Sequence, residues 1–483
     1  MDVTLRSARE QARLIREGEM SARELLDAVL DRYQRHNPAV NAVVVTRIDQ
    51  ARERAAEADA ALARGDVWGP LHGVPMTVKE VFDWVGTPST WGWPELADYR
   101  PDHNAVAVDR LLAAGAVIYG KTNVPIHLSD WQSYNDIYGA TNNPWDLSRT
   151  PGGSSGGSAA ALATGMAGLE LGSDIGASIR NPAHYSGVFG HKPTFGLVPT
   201  DGHAYPDQIV PTDINVVGPL ARTAGDLDLA LGVLAGPTGP DAAGYRVDLP
   251  DADGRTFSDF RVALMLDSPC VVQDDELTGH LQNAVDALAA AGLSVDDRAR
   301  PAIDQPRFHE VYVLLLGATR GAALPTALPP TLKDDVERYQ DGDRDFGAVY
   351  GRGISMSHSD WFALHTERER YRRIWADFLA EYDLLLCPIA ASTAFPHDHE
   401  GDRSQRTIPV NGGRQPTRDQ LFWASWSGSV YLPGTVAPTG LTPSGLPCGI
   451  QIVSPHLHDR IGIAFAELIE AELGGFVPPP GYD

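Results

Sequence analysis

The chain has 483 residues, 43% of them hydrophobic, with 48 Gly and 36 Pro, so it can bury a large core and must turn often. Its formal net charge of −24 argues against nucleic acid or an anionic membrane as a direct partner, since both select basic surfaces. Cys270, Cys387 and Cys448 have no zinc or disulfide spacing, no apolar run approaches the roughly 18 residues of a membrane span, and Met1-Asp2-Val3-Thr4-Leu5-Arg6 lacks a signal-peptide core, which together predict a cytoplasmic protein.

In chain order, residues 1–66 read as helices. Ser7 with Glu10, and Ser21 with Glu24, have capping-box spacing. Leu25, Leu26, Val29, Leu30 and Tyr33 repeat at helical spacing, and Asn37-Pro38 is expected to end that run. An Ala-rich helix follows over about 48–64. From Pro70 the composition shifts. Val74 to Val78 reads as a buried strand with Lys79 at its end, 105–114 as a helix and 116–119 as a second buried strand. A Gly-rich loop at 152–157 leads into a helix over 158–164. Leu169 to Leu171 reads as a strand entering a second Gly turn, and 178–185 as a short helix. Farther on, 236–253 is a Gly/Pro/Asp-rich connection, 260–266 a strand, 277–291 a helix, and 367–382 a charged helix feeding a strand at 384–386. Residues 396–415 read as a polar surface loop. The run Ile450 to Val453 is mostly apolar, and 461–473 reads as a final helix. Strands alternating with helices predict an α/β sheet covered on both faces.

Three residues carry the chemical signal. Lys79 closes the run Val74-Pro75-Met76-Thr77-Val78. Ser154 lies in Pro151-Gly152-Gly153-Ser154-Ser155-Gly156-Gly157-Ser158, and Ser178 in Gly172-Ser173-Asp174-Ile175-Gly176-Ala177-Ser178-Ile179-Arg180. A hydroxyl becomes a strong nucleophile only when a positioned base takes its proton. Two serines and a lysine on small-residue turns offer a nucleophile, a relay and a base. Each also has a plain structural reading: Lys79 as a surface lysine ending a strand, Ser154 and Ser155 as a flexible turn, Ser178 as a helix N-cap. The Gly loop lacks the G-K-[ST] of a phosphate-binding loop. Gly152 to Gly156 fits G-x-S-x-G, but the residues before it are loop chemistry and not the strand a nucleophile elbow requires. The 15 histidines include no H-E-x-x-H, and His397-Asp398-His399 reads as surface loop, so no metal is expected.

The unbroken Pro151 to Ser158 stretch, followed at fixed distance by Gly172 to Arg180, resembles the amidase signature family of serine hydrolases. The resemblance is close over about 73–200 and looser over about 382–473. It implies one large α/β domain with a twisted mixed sheet: N-terminal helices over 1–66, the signature core over 70–235, a variable substrate-side region over 236–380, and the C-terminal part of the core over 381–475. It implies a Ser-Ser-Lys triad with Ser178 as nucleophile, Ser154 as bridge and Lys79 as base. It places the backbone N–H groups of Ile175, Gly176, Ala177 and Ser178 in an oxyanion hole, with Ser155, Asp174 and Arg180 in support. Most members carry Gly where this chain has Ala177.

Trp131, Tyr134, Trp423 and Trp426 are candidate pocket residues, each equally readable as core. No Arg or Lys stands out in the sequence as a carboxylate reader, so the expected substrate is a small neutral amide, apolar or aryl beside the carbonyl, cleaved without a cofactor. Carbamates and esters are close alternatives, because the same acyl transfer serves them. A further alternative is the amidase subunit of a glutamine-dependent tRNA amidotransferase. A homodimer is compatible with all three.

Overall fold

The computed structural model describes residues 2–206, 208–252, 254–323, 346–401 and 403–483. Strands such as Val117–Thr122 and Leu384–Cys387 are buried along their whole length, with cover on both faces. They lie in one mixed sheet of eleven strands. In spatial order these are β1 (Val43–Thr46), β3 (Val117–Thr122), β2 (Pro75–Lys79), β6 (Glu170–Asp174), β8 (Val216–Ala221), β7 (Phe189–Lys192), β14 (Gly434–Leu441), β15 (Pro447–Val453), β11 (Leu384–Cys387), β9 (Val262–Leu264) and β10 (Val295–Asp296). Two short ladders stand apart: β4 (Tyr134–Asn135) with β5 (Gly139–Ala140), and β12 (Thr407–Val410) with β13 (Gly413–Pro416). β3, β2 and β6 are parallel neighbours, while β6, β8, β7, β14 and β15 alternate in direction.

Helices cover both faces. On one, α4 (Val106–Ala113), α7 (Ala224–Leu234), α9 (Asp275–Ala290) and α14 (Asp459–Leu473) enclose a core with Met76, Val78, Leu171, Ile450 and Ile452. On the other lie α2 (Ala22–Val40), α3 (Ile48–Ala63), α5 (Gly156–Ala163) and α6 (Arg180–Ser186), around Val117, Tyr119 and Leu220. A third cluster gathers α10 (Gln305–Ala323), α11 (Phe346–Ile354), α12 (His358–Glu381) and α13 (Leu421–Gly428) around Trp375, Trp423 and Trp426. The short α8 (Asp241–Gly244) has no buried residue. Among the described residues no helix is long and apolar enough to cross a membrane.

Both capping serines hold their places, Ser7 at the start of α1 (Ala8–Arg16) and Ser21 in a full capping box on α2. The structure departs from the sequence expectation at three points. α2 runs through Pro38 to Val40 and stops at Asn41, φ 52°, because Asn37 makes the reversal: its side chain accepts from the N–H of Ala42 and Val43 and donates to Val43 O. That reversal releases β1, a strand inside the region expected to be wholly helical. Residues 396–415 are more than a surface loop, since they contain most of the β12–β13 hairpin and the buried Arg406.

Two buried charges tie the N-terminal helices to the sheet. Arg222 donates to the carbonyls of Leu5, Arg6, Leu162 and Ala167. Asp226, on α7, accepts from Ala8 N–H at 2.7 Å and Arg9 N–H at 2.9 Å and so caps α1 from 218 residues away. Asp226→Ala leaves those two donors unpaired and should destabilise the fold by about 1–3 kcal/mol. A lower urea midpoint at unchanged m-value is the expected result, and an unshifted midpoint would contradict it.

Candidate active site

β2 and β6 run side by side, Thr77 opposite Glu170 and Val78 opposite Leu171, so their carboxyl ends meet. In open α/β sheets that end is where ligands bind. Lys79, the last residue of β2, reaches across to β6. Its Nζ lies 2.9 Å from Ser173 Oγ, 3.3 Å from Ser173 O and 2.6 Å from Ser154 Oγ. The lysine is 0% exposed. Burial holds its ammonium well below the ordinary lysine value, and the nearby Asp174 charge opposes that shift more weakly.

Asp174 is engaged elsewhere. Its two oxygens take Arg180 Nη2 at 2.8 Å and Nε at 2.9 Å, with neither side chain exposed. Burial raises the Asp174 carboxyl, but the Arg180 charge and hydrogen bonds outweigh it and leave the group below its usual value. Asp174 also accepts from the N–H of Ala177 at 3.0 Å and of Ile179 at 3.1 Å. Arg180 continues to Gln451 Oε1 at 2.6 Å and Ser427 Oγ at 2.9 Å, which locks the turn to β15 and α13. Together Asp174 and Arg180 brace the turn from inside the protein.

The Ser154 loop threads a narrow gap. A Cβ on Gly153 would sit 2.4 Å from the Asp130 carbonyl oxygen, so only glycine fits there. The Gly153–Ser154 peptide is cis. Asn181 grips Gly153 from the other side, donating to its carbonyl at 2.5 Å and accepting its N–H at 3.1 Å. Ser155 donates its N–H to Ser178 O at 3.0 Å, and its hydroxyl donates to Ser173 O at 3.4 Å. Ser178 is 4% exposed. Lys79 is thus joined directly to Ser154, and the Ser178 backbone is joined to Ser155. Among the described residues the Ser178 hydroxyl makes no hydrogen bond, and the Ser155–Ser178 backbone bond is the link between the two serine loops.

The turn from Ile175 to Ser178 has its peptides aimed by outside groups. Carbonyl and N–H of one trans peptide point in opposite directions. The Tyr312 hydroxyl, from α10, donates to Ile175 O at 2.9 Å, which turns Gly176 N–H away from that helix. Trp131 Nε1 donates to Gly176 O at 2.8 Å, and the same peptide's N–H, that of Ala177, goes to Asp174. Ala177 takes the left-handed conformation, φ 66°, that glycine adopts without strain. Of the four donors expected at an oxyanion, Ala177 is therefore committed within the protein. Ile175, Gly176 and Ser178 N–H have no acceptor among the described residues.

The four aromatic candidates separate. Trp131 stands at the site through its bond to Gly176. Tyr134 stacks on His399 at 4.0 Å and accepts from Arg406 Nη2 at 2.8 Å. Trp423 and Trp426 are both 0% exposed and belong to the third core cluster. Trp423 Nε1 donates to Gln273 at 2.8 Å, and Trp426 packs edge-on against Trp375 at 5.5 Å. They are interior packing, because α13 turns its aromatic face to α10 and α12; its Leu421 is the residue that reaches the site, 3.1 Å from where a Gly176 Cβ would lie. Among the described residues no group of three His, Cys, Asp or Glu side chains is arranged to hold a metal ion.

Residues 24–461 match the family model named Amidase. The chain belongs to the amidase signature family. Its curated relatives include a glutamyl-tRNA(Gln) amidotransferase subunit from Acidothermus cellulolyticus, 33% identical over 509 aligned positions that cover 96% of this chain and 94% of that protein. The indoleacetamide hydrolase of Bradyrhizobium diazoefficiens is 31% identical, covering 97% and 86%. Among solved structures, a bacterial aryl acylamidase of the amidase signature family superposes with TM-score 0.80 at 25% identity, covering 99% and 97%. The fold is that of this amidase family, whose enzymes are hydrolases and amidotransferases.

Sequence reasoning missed Ser173, Asn181 and Tyr312. Ser173 and Asn181 lie in or beside the quoted motif and differ from their neighbours only in what they touch. Tyr312 carries no local signal, since α10 lies in a stretch where no motif stands out. Tyr312→Phe removes the bond that aims the Gly176 peptide. We expect kcat to fall about tenfold at nearly unchanged melting temperature; kcat at the parent value would show that the turn holds its shape unaided.

Proposed function

We propose that the protein is a serine amidohydrolase that cleaves a small linear carboxamide to a carboxylate and ammonia or an amine, through an acyl-enzyme on Ser178. The observation that carries this reading is the 2.6 Å contact between Ser154 Oγ and the wholly buried Lys79 amine. A neutral amine has two N–H donors and one lone pair. With both donors given to Ser173 Oγ and O, the lone pair is left for the Ser154 proton.

In this mechanism Ser178 Oγ attacks the amide carbon as its proton passes to Ser154 and the Ser154 proton passes to Lys79. The developing oxyanion receives the N–H groups of Ile175, Gly176 and Ser178. The relay then returns a proton to the leaving nitrogen, the C–N bond breaks, and water releases the acid by the same route. Leu421 and Tyr312 flank Gly176, which supports an apolar or aryl group beside the carbonyl.

Carbamates and esters remain the close alternatives, separated by rates on matched amides, urethanes and esters. The 33% identity with an amidotransferase component over nearly the full length supports a second reading. Glutaminase activity that depends on co-purifying subunits would favour that reading, and turnover of simple amides by the isolated chain would favour the first.

Ser178→Ala should abolish turnover, and Lys79→Ala should lower kcat by about 10²–10⁴-fold. Hydroxylamine should divert the acyl-enzyme to a hydroxamate; if none forms while amide is consumed, the covalent route fails. A base must be neutral to act, and burial lowers the Lys79 pKa from 10.5. Activity should therefore be lost as pH falls through the depressed value, with the limb of kcat/KM well to the acid side of free lysine. A limb near 10.5 would refute the assignment.

A further inference from the structure

Two segments lead away from the oxyanion turn and end at one place. The first is α10, which carries Tyr312 on Ile175 O and Arg320 eight residues later, about 12 Å along the axis at ~1.5 Å per residue. The second is the 126–131 segment, with Trp131 on Gly176 O at one end and His127 at the other. They converge on Tyr205, whose hydroxyl oxygen lies 2.9 Å from Arg320 Nη1 and 3.0 Å from His127 Nδ1. Trp91 stacks on the Tyr205 ring at 4.3 Å, and Trp93 packs on His127 at 4.6 Å.

The charge at this meeting point is unusual for a chain with 63 acids and 39 bases. Arg320 is partly buried and donates to the Tyr205 hydroxyl. Arg403, exposed, lies three residues before Arg406, which holds Asp130 at 2.9 Å, and Asp130 is three residues beyond His127; its charge acts on both His127 and Asp130. Among the described residues neither guanidinium pairs with a carboxylate. The acid at hand, Asp130, is taken by Arg406 at 2.9 Å, both 5% exposed. Burial, then Arg320, then Arg403 depress His127 to about 3, so its imidazole is neutral and adds no further positive charge. His127 and Leu128 are also held at φ 55° and 57°, two successive non-glycine residues in the left-handed region, a strain that concentrates where ligands are gripped.

We propose that Arg320 and Arg403 form a carboxylate-binding subsite about 12 Å along α10 from Tyr312, so that the substrate is a linear amide bearing an acidic group at its far end. This rests on the amidase reading and replaces the neutral substrate expected from sequence. A span of about 12 Å is that of three to four extended residues. Aromatic rings line the far end at Tyr205, Trp91 and Trp93, so the linking chain is apolar or peptide-like, and the acid is planar, as guanidinium prefers.

The test compares kcat/KM for the monoamide of decanedioic acid with that for the ω-hydroxy amide of the same length. A second pair, the N-acetyl derivatives of a long ω-amino acid and of the matching amino alcohol, places the acid on the amine side. At least one acid should be preferred tenfold or more, mostly through KM, and the preference should shrink as salt rises. Arg403→Ala, an exposed position, and Arg320→Gln should each lower that preference about tenfold; Arg320→Lys should restore part of it. If both pairs are turned over without regard to charge, or the preference survives both substitutions, the subsite does not exist and the amidase reading stands. If no amide is turned over by the purified chain, the amidase reading fails and takes the subsite with it.

Discussion

The centre of this protein depends on keeping one amine out of water without giving it a free counter-ion. Lys79 sits at the end of a fully buried strand, and only hydroxyl and carbonyl oxygens of Ser154 and Ser173 touch its nitrogen among the described residues. Desolvation disfavours the ammonium, and neutral hydrogen-bond partners do not repair that loss. A carboxylate in direct contact would restore the charge and leave the nitrogen no free lone pair to accept a proton. Asp174 is the near carboxylate, and the Arg180 fork is what keeps it occupied.

That pairing also shapes the turn. A buried ion pair of this kind is weak evidence for stability, because desolvating both ions offsets most of their attraction. Its value here is geometric. One carboxylate fixes Ala177 and Ile179 N–H and leaves the intervening Ser178 N–H unclaimed. Tyr312 and Trp131 then set the two peptides ahead of it from opposite sides. Two distant parts of the chain and the adjacent Asp174 thus fix the peptides of a four-residue turn, which is how preorganised hydrogen-bond sites avoid reorganising when charge appears.

Much of this was legible from local pattern. The apolar run before Lys79 signalled a buried strand, and the spacing of small residues around Ser154 and Ser178 signalled turns that admit close backbone approach. Capping serines marked the first helices because capping is local chemistry. What stayed hidden depends on contacts between distant segments. Asn37 overrides the helix-ending tendency of Pro38 by capping a reversal that only the adjacent strand explains. Trp423 and Trp426 have the composition of a pocket wall, yet their neighbours on α10 and α12 make them core. Ala177 looks unsuited to a glycine position, and only the bonds from Trp131 and Asp174 around it show how its left-handed φ is held. Arg406 read as part of a polar loop because its partner, Asp130, lies 276 residues earlier.

The order in which sheet neighbours occur along the chain has a consequence for biosynthesis. Lys79, Ser154 and Ser178 are translated within the first two-fifths of the polypeptide, but Arg180 finds Ser427 and Gln451 near its end. β7 likewise waits for β14 as its outer neighbour. A ribosome-bound chain therefore carries Lys79, Ser154 and Ser178 long before the turn around Ser178 gains its Ser427 and Gln451 anchors. Under the proposed mechanism, activity is expected only once the C-terminal strands have emerged, and a proteolytic fragment lacking them is expected to be silent.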